Sequence, residues 1–222
     1  RYKREFDEVG LLSSGSFGQV FRATNKMDGF NYAVKRVPFN ATGFSSDSVQ
    51  QVVREVHCLA VCDHPNVVRY YTSWLEPRKK AAGPSYQYQI CLYIQMQLCH
   101  PATLADWIRE RNRKLHDEHA GNRLVFAADI FSQLCDGLAH VHSKGIVHRD
   151  LKPANVFASQ DEKVQFKIGD FGLSKMIEST CGNDTWRDPL TAGVGTASYA
   201  APEQVSSGSY GKEADIFSLG LI

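Results

Sequence analysis

The sequence predicts an α+β protein in which a strand-rich first part is followed by a mainly helical second part. Up to about Gln97, short runs of alternating apolar and polar residues are separated by glycine-containing turns, which is typical of strands. Beyond Cys99, apolar residues recur with helical spacing, at Leu124, Ala128, Phe131, Leu134, Leu138 and Val141. We therefore expect a single domain with two lobes, at residues 1–98 and 99–222.

The first part contains several predicted strands, one predicted helix and one predicted loop. Alternation and β-prone residues predict strands at Leu11–Thr24, Asn31–Val37, Val67–Trp74 and Gln89–Gln97. Helical spacing predicts an amphipathic helix, through Val49, Val52, Val53, Val56, Leu59 and Ala60. The stretch Glu76–Ser85 is rich in Lys, Ala, Gly and Pro, which favours an exposed loop.

In the second part, the helical pattern is predicted to end near Lys144-Gly145, where glycine can serve as a C-cap. The polar stretch Leu173–Ala200 has Gly and Thr scattered through it and predicts one long loop. A loop of that length inside a compact domain is more often functional than not.

The composition excludes several classes of protein. With 43% hydrophobic and 22% charged residues, the chain is predicted to be globular rather than disordered. The formal net charge of +1 implies no general attraction to nucleic acid or to an anionic membrane surface. The strongly apolar stretches, such as Ile90–Ile94, are too short to span a bilayer.

Six cysteines in 222 residues are too few for a disulfide scaffold and favour a reducing compartment. We therefore expect a cytoplasmic domain. The chain begins with Arg-Tyr-Lys-Arg and no Met, so we expect it to be part of a longer protein. Membrane attachment of the parent protein, through a segment outside this sequence, is compatible with this expectation.

A glycine-rich stretch lies near the start of the chain, with the sequence Ser13-Ser14-Gly15-Ser16-Phe17-Gly18-Gln19-Val20. Glycine has no Cβ atom, so a glycine-rich hairpin lets the backbone approach a polyphosphate and donate its amide hydrogens. A hairpin turn without any nucleotide role explains these residues equally well when they are taken alone. Ser13 occupies the first glycine position of a G-x-G-x-x-G loop.

Lys35 closes the apolar run Tyr32-Ala33-Val34-Lys35. A lysine inside an apolar strand is costly unless its ammonium group meets an anion. Glu55 follows twenty residues later on the predicted helix. For either residue alone, a solvated strand edge or a solvated helix face is the better explanation.

The most informative stretch is Val147-His148-Arg149-Asp150-Leu151-Lys152-Pro153-Ala154-Asn155. It is followed by Asp170-Phe171-Gly172 and then by Ala201-Pro202-Glu203. Together with the glycine-rich stretch and the Lys35 segment, these strings follow the order of the protein-kinase signature motifs. The chain therefore resembles a eukaryotic protein kinase from about Tyr2 to its last residue, with a strand-rich N-lobe and a helical C-lobe. The C-lobe is expected to be truncated after the start of the helix that contains Asp215.

The resemblance implies ATP and Mg²⁺ as cofactors and assigns roles to the polar residues. Lys35 is expected to hold the α- and β-phosphates and to be oriented by Glu55. Asp150 is expected to accept the proton of the attacking hydroxyl, and Lys152 is expected to stabilise the charge on the transferred phosphate.

The resemblance also implies two magnesium ligands and a nucleotide site. Asn155 and Asp170 offer the oxygen ligands that Mg²⁺ prefers. The expected ATP-binding residues include Met96 at the gatekeeper position and the backbone of the residues that follow it. The full set is Leu12, Gly15, Gly18, Val20, Ala33, Lys35, Met96, Gln97, Cys99 and Phe157.

The chain resembles serine/threonine kinases rather than tyrosine kinases at two positions. These are Lys152, within the motif that contains Asp150, and Thr196, in the later loop. Thr191 and Thr196 are the expected phosphorylation sites of the long loop. Arg149 next to Asp150 would pair with such a phosphate, because a guanidinium can bind it in bidentate fashion. We expect phosphorylation to order the loop and activate the enzyme.

Several local strings resemble the kinases that phosphorylate the alpha subunit of eukaryotic translation initiation factor two. They are His64–Tyr71, Trp74–Glu76, Leu92–Cys99, Thr103–Trp107 and Ala214–Ile222. The resemblance implies that subunit as the protein substrate, in a stress response that lowers translation, and a homodimer formed through the N-lobe. Another serine/threonine kinase, or a pseudokinase acting as a nucleotide-binding scaffold, remains an alternative at this stage.

Overall fold

The computed structural model describes residues 1–15, 18–38, 56–82, 85–113, 120–159, 164–176, 198–206 and 210–222. These residues belong to two compact units. The first unit comprises Arg1–Ala60 and Arg69–Cys99, and the second comprises Val61–Val68 and His100–Ile222. The segment Val61–Val68 falls within the range 1–98 predicted for the first lobe, but it packs with the second unit because its backbone bonds to a strand there.

An antiparallel sheet of five strands dominates the first unit, which confirms its predicted strand-rich character. The strands are β1 (Phe6–Gly15), β2 (Gly18–Asn25), β3 (Asn31–Pro38), β4 (Tyr70–Ala82) and β5 (Ser85–Gln97). Their order across the sheet is β1-β2-β3-β5-β4, so β3 is central and β4 lies at an edge.

The register of the sheet places several predicted nucleotide-binding residues on one face. Lys35 of β3 lies opposite Val20 of β2 and Ile94 of β5. Two residues earlier on β3, Ala33 lies opposite Met96. Because side chains alternate between faces with a period of two, all five of these residues lie on the same face of the sheet.

The opposite face of the sheet is covered by aromatic side chains and by a short N-terminal helix, α1 (Tyr2–Glu5). The Phe6 ring stacks on Trp74 at 5.9 Å between centroids, and Trp74 stacks on Tyr93 at 5.4 Å. Tyr2 stacks on Tyr93 at 4.8 Å. Burial, together with the neighbouring Glu8 carboxylate, raises the pKa of the Tyr2 phenol. The sequence pattern did not predict this cluster, since its members lie far apart along the chain.

The β4–β5 hairpin corrects two sequence predictions. The predicted loop at Glu76–Ser85 is wrong, because β4 continues to Ala82 and pairs with β5 as far as Ser85. Lys and Pro lowered the strand signal there, yet both are tolerated at the edge of a sheet. The strand predicted from Val67 begins only at Tyr70, since Val67 instead forms a parallel bridge with Ile168.

Between β3 and β4, residues 56–61 form a helix, α2. This agrees with the helix predicted as far as Ala60. The earlier part of that predicted helix, including Glu55, lies outside the described residues.

The second unit is mainly helical, as predicted. Its helices are α3 (Leu104–Arg113), α4 (Ala120–Ser143), α5 (Pro202–Ser206) and α6 (Lys212–Gly220). Short strands form two antiparallel pairs, which are β6 (Ile146–Val147) with β9 (Lys175–Met176), and β7 (Val156–Ala158) with β8 (Phe166–Ile168). Much of the loop predicted at Leu173–Ala200, including Thr191 and Thr196, lies outside the described residues.

Helix α4 ends where the sequence predicted. Gly145 adopts the left-handed conformation at φ 72°, which a glycine reaches without a steric penalty. Its amide donates to the His142 carbonyl oxygen at 3.1 Å. The stretch Leu124–Ser143 of α4 is long and apolar enough to cross a membrane by length and composition alone, contrary to the expectation from short apolar runs. Since α4 packs against β8 and buries Leu134 and Leu138, we interpret it as the central helix of this unit.

Two histidines connect the segment 61–68 to α4. The rings of His64 and His140 stack with centroids 5.0 Å apart. Nε2 of His140 is buried and has no hydrogen-bond partner among the described residues. Burial lowers the pKa of His140, His64 and Lys144 lower it further, and Asp63 opposes them.

We predict that this lowered pKa makes folding stability depend on pH. The unfolded chain takes up a proton near the ordinary histidine pKa of about 6.5, whereas folded His140 resists it. The stability contributed by neutral His140 is therefore present above pH ~6.5 and is lost as the pH falls through the folded-state pKa. Denaturant unfolding between pH 5 and 8 should show a flatter profile for His140→Phe, which keeps a stacking ring. His57→Phe, at an exposed position, is the matched control. Identical slopes for wild type and His140→Phe would contradict this prediction.

Candidate active site

The segment His148–Asn155 follows β6 and ends in a 3₁₀ turn at Pro153–Asn155. Arg149 has φ 70°, a left-handed conformation that is unfavourable for a residue with a side chain. Hydrogen bonds to Asp215 of α6 hold this backbone in place. The amides of His148 and Arg149 donate to its two carboxylate oxygens, each at 2.8 Å. Strained non-glycine backbone of this kind is concentrated at functional sites.

Asp215 is the buried anchor of the segment, with only 1% of its surface exposed. Besides the two backbone amides, Nε2 of His142 lies 2.8 Å from Oδ2. A buried carboxylate is tolerated only when donors surround it, and here three do so. The sequence pattern placed Asp215 in a helix but did not indicate this role. The available signal was a carboxylate within the mostly apolar run Ala214–Leu219.

Hydrogen bonds bring together the side chains of Asp150, Lys152 and Asn155. Nζ of Lys152 donates to both oxygens of the Asp150 carboxylate, at 2.7 and 3.0 Å. Nδ2 of Asn155 donates to Oδ2 of Asp150 at 3.0 Å and to its backbone oxygen at 2.8 Å. The carboxylate is therefore half-buried and fixed in position, and a fixed position is what general base catalysis would require of it.

Asp170 lies two residues after the end of β8 and adopts φ 60°, which makes it a second left-handed non-glycine residue. The preceding residue, Gly169, connects it to His148–Asn155, which we call the catalytic segment because it contains the predicted proton acceptor Asp150. The Gly169 amide donates to the Asn155 carbonyl oxygen at 2.9 Å, and Nε2 of His148 lies 3.0 Å from the Gly169 oxygen. A Cβ atom at Gly169 would lie only 2.8 Å from Cγ2 of Val68, so this position requires glycine.

The side chains of Asn155 and Asp170 suit a magnesium ion by their chemistry. Because Nδ2 of Asn155 donates to Asp150, the amide presents Oδ1 as its acceptor, and Asp170 presents an exposed carboxylate. Among the described residues, no group of three or more His, Cys, Asp or Glu is arranged to hold a metal ion. Two oxygen ligands fit Mg²⁺ bound to a polyphosphate, since that ion retains phosphate oxygens and water in its coordination shell.

Arg149 is connected to the Ala201-Pro202-Glu203 motif. Its carbonyl oxygen accepts a hydrogen bond from Nε2 of Gln204 at 3.1 Å, and Oε1 of Gln204 accepts the Ala201 amide at 2.9 Å. The Arg149 guanidinium lies 5.9 Å from the centroid of the Tyr210 ring. Sequence analysis did not identify Gln204, because nothing in the linear sequence shows that it is buried.

In the first unit, Lys35 is 6% exposed and lies on the sheet face opposite the aromatic cluster. Its predicted partner, Glu55, lies outside the described residues. At the end of β5, the Gln97 amide donates to the Arg69 carbonyl oxygen at 2.8 Å. The Gln97 amide is therefore already paired within the first unit. Cys99, two residues on, is half-buried.

The remaining predicted nucleotide-binding residues are distributed over both units. Leu12 is an exposed residue of β1, and Gly15 pairs with Gly18 where β1 meets β2. Phe157 belongs to β7 in the second unit, where its ring carbons would lie 3.0 Å from a Cβ atom at Gly169.

We predict that the two glycines of the β1–β2 hairpin differ in their tolerance of substitution. Gly18 has φ 118°, and a Cβ atom there would collide with the carbonyl oxygen of Arg36. Gly15 has open space around its Cα atom. Gly18→Ala should therefore lower the free energy of unfolding by about 1–3 kcal/mol, whereas Gly15→Ala should change it little. Denaturant melts of both variants test this, and equal losses would contradict it.

Comparison with known proteins places these motifs in a family. A model of the family "Protein kinase domain" matches residues 6–222. The chain is 39% identical over 230 residues to the rat "Interferon-induced, double-stranded RNA-activated protein kinase". It is 34% identical over 262 residues to "eIF-2-alpha kinase GCN2" of Arabidopsis thaliana. It is 26% identical over 359 residues to the mouse "Eukaryotic translation initiation factor 2-alpha kinase 1".

All three alignments cover 100% of this chain. The chain spans 40%, 20% and 57% of the length of the rat, Arabidopsis and mouse proteins, respectively. The family match extends over both units and includes the strained catalytic segment, the Asp170 turn and the glycine-rich hairpin. The chain therefore belongs to the protein kinase domain family, and it is a kinase domain of the serine/threonine type.

Proposed function

We propose that this domain transfers the γ-phosphoryl group of ATP to a serine or threonine hydroxyl of a protein. The observation that carries this proposal is the Asp150 carboxylate, which Lys152 and Asn155 hold in position at 2.7–3.0 Å. Phosphoryl transfer depends mainly on positioning and on neutralising charge. The charged and amide groups that this requires are present in the chain.

In the proposed reaction, the hydroxyl oxygen forms a bond to the γ-phosphorus while the bond from that phosphorus to ADP breaks. Asp150 orients the hydroxyl and takes up its proton. Lys152 lies beside the Asp150 carboxylate and stabilises the negative charge on the transferred group.

Three further residues have proposed roles before the transfer. Lys35 supplies a buried cation for the nucleotide phosphates. Asn155 and Asp170 would hold Mg²⁺, which when bound supplies neutralisation of phosphate charge.

We further propose the alpha subunit of eukaryotic translation initiation factor two as the protein substrate, in a stress response that lowers translation. The names of two of the three relatives support this, since they are described as kinases of that factor. The strings that resemble such kinases extend from His64 to the last residue, so the support does not rest on a single motif.

A substrate assay tests this proposal. Full-length protein with MgATP should phosphorylate the purified alpha subunit at least as well as it phosphorylates any generic kinase substrate, such as myelin basic protein or histone. Asp150→Asn, prepared in parallel, controls for a contaminating kinase. Strong labelling of the generic substrates with none of the alpha subunit would mean that the chain is a different serine/threonine kinase. No labelling of any protein by folded wild type would favour the nucleotide-binding scaffold instead.

Two other expectations also stand as proposals: that the protein forms a homodimer through the first unit, and that this domain lies in the cytoplasm. Sedimentation equilibrium of the full-length protein tests the dimer. Fractionation of cells that express it tests the location.

A further inference from the structure

Strand β8 ends at Ile168 and is followed by Gly169 and Asp170. Contacts that hold β8 in position therefore also help to determine the position of Asp170. One edge of β8 pairs with β7. At the other edge, the Ile168 amide donates to the Asn66 carbonyl oxygen at 2.8 Å, and the Val68 amide donates to the Ile168 carbonyl oxygen at 2.9 Å. The segment 66–68 therefore acts as a third strand beside β8.

Side chains rather than backbone complete this edge at Phe166. Oε1 of Gln133, from α4, accepts the Phe166 amide at 2.8 Å. Nδ2 of Asn66 donates to the Phe166 carbonyl oxygen at 2.9 Å and to the same Gln133 oxygen at 3.2 Å. Oε1 of Gln133 therefore accepts hydrogen bonds both from the backbone of β8 and from the side-chain amide of Asn66.

The orientation of the Gln133 amide is also determined. Its Nε2 donates to Oδ2 of Asp129, one turn earlier on α4, at 2.8 Å. One turn later, Gly137 lets α4 approach closely, because a Cβ atom there would lie 2.7 Å from the Asn66 carbonyl oxygen. Asp129 and Gly137 of α4 therefore place the Gln133 amide between β8 and the segment 66–68.

We propose that Gln133 is a positioning residue for Asp170, acting through Asn66 and β8 rather than by any contact with nucleotide or metal. This inference rests on the proposed function, in which Asp170 binds Mg²⁺. Groups that orient a metal ligand typically change metal affinity by about 10–100-fold when they are lost. Gln133 acts on the metal ligand Asp170 only through Asn66 and β8, so we expect its loss to lower the metal affinity by about tenfold, the lower end of this range.

The test measures binding rather than turnover. The probe is Mn²⁺ with a non-hydrolysable ATP analogue, whose binding to full-length protein is followed by electron paramagnetic resonance of the metal. The affinity for the same analogue in EDTA is measured in parallel. Gln133→Leu should weaken binding of the Mn²⁺ complex about tenfold and leave metal-free binding nearly unchanged. Asp136→Asn, at an exposed position of the same helix, is the control.

A paired substitution keeps the test decisive if Gln133→Leu unfolds the protein. Gln133→Glu preserves the oxygen that accepts the Phe166 amide, but it sets a second carboxylate against Asp129. Adding Asp129→Asn should restore the hydrogen bond with its direction reversed, and with it the affinity for the Mn²⁺ complex. Amide hydrogen exchange at Phe166 should rise in Gln133→Glu and recover in the double variant.

Each outcome decides the matter. The inference is overturned if Gln133→Leu folds and binds the Mn²⁺ complex as tightly as wild type does. It is equally overturned if binding is weakened to the same extent with and without metal, or if the double variant recovers no affinity. Failure of wild type itself to bind the Mn²⁺ complex would overturn the proposed function, and the inference with it.

Discussion

Asp150→Asn is expected to lower kcat for phosphoryl transfer by about 10²- to 10⁴-fold, the range that general base catalysis supplies. With its single oxygen at the position of Asp150 Oδ2, the asparagine can still accept hydrogen bonds from Lys152 and Asn155. It loses only the second bond from Lys152, so the local backbone should be retained. It cannot take up a proton from the attacking hydroxyl. The KM for ATP should change little, because Asp150 has no proposed contact with the nucleotide.

Steady-state kinetics with varied ATP check this prediction. Asp136→Asn makes the same chemical change at an exposed position of α4 and should leave kcat unchanged. A kcat for Asp150→Asn within a few-fold of wild type would remove Asp150 from the reaction. A large rise in KM at unchanged kcat would instead assign it to nucleotide binding.

Asp215→Ala is expected to be the most destabilising single substitution at the site. It removes the acceptor of the His148 and Arg149 amides and the partner of His142. Each buried group left without a partner costs about 1–3 kcal/mol, so a loss of roughly 3 kcal/mol or more in the free energy of unfolding is expected. Activity should also fall, because the strained backbone at Arg149 loses its support.

Denaturant unfolding measures the first effect, and the kcat of the remaining folded protein measures the second. Glu213→Ala is the control, since Glu213 is an exposed carboxylate on the same helix. If Asp215→Ala unfolds at the same denaturant concentration as the control, then Asp215 does not anchor the catalytic segment.

The site was largely predictable from the sequence where its members are close together in the chain. Asp150, Lys152 and Asn155 lie within six residues, and the motif that contains them implies their association. Glu55 was assigned from the same motifs, but it lies outside the described residues, so its role stays a prediction. The same holds for Thr191 and Thr196.

The supporting residues could not be predicted in this way. Asp215, Gln204 and Gln133 act through hydrogen bonds to backbone groups that are distant in sequence. A sequence pattern reports the residue type and the local period but does not report which buried donor needs an acceptor. The β4–β5 hairpin was missed for a different reason. The residues Glu76–Ser85 favour a loop when they are considered alone, but the backbone pairing of β4 with β5 stabilises them as strand.

We expect this chain to move a phosphoryl group from ATP to a protein hydroxyl, with Asp170 as a metal ligand. The most direct measurement incubates full-length protein, a protein substrate and ATP labelled at the γ-phosphate, and then identifies the labelled amino acid. We expect phosphoserine or phosphothreonine with wild type, and neither with folded Asp170→Ala. Folded wild type that labels no protein, or Asp170→Ala that labels as fast as wild type, would contradict it.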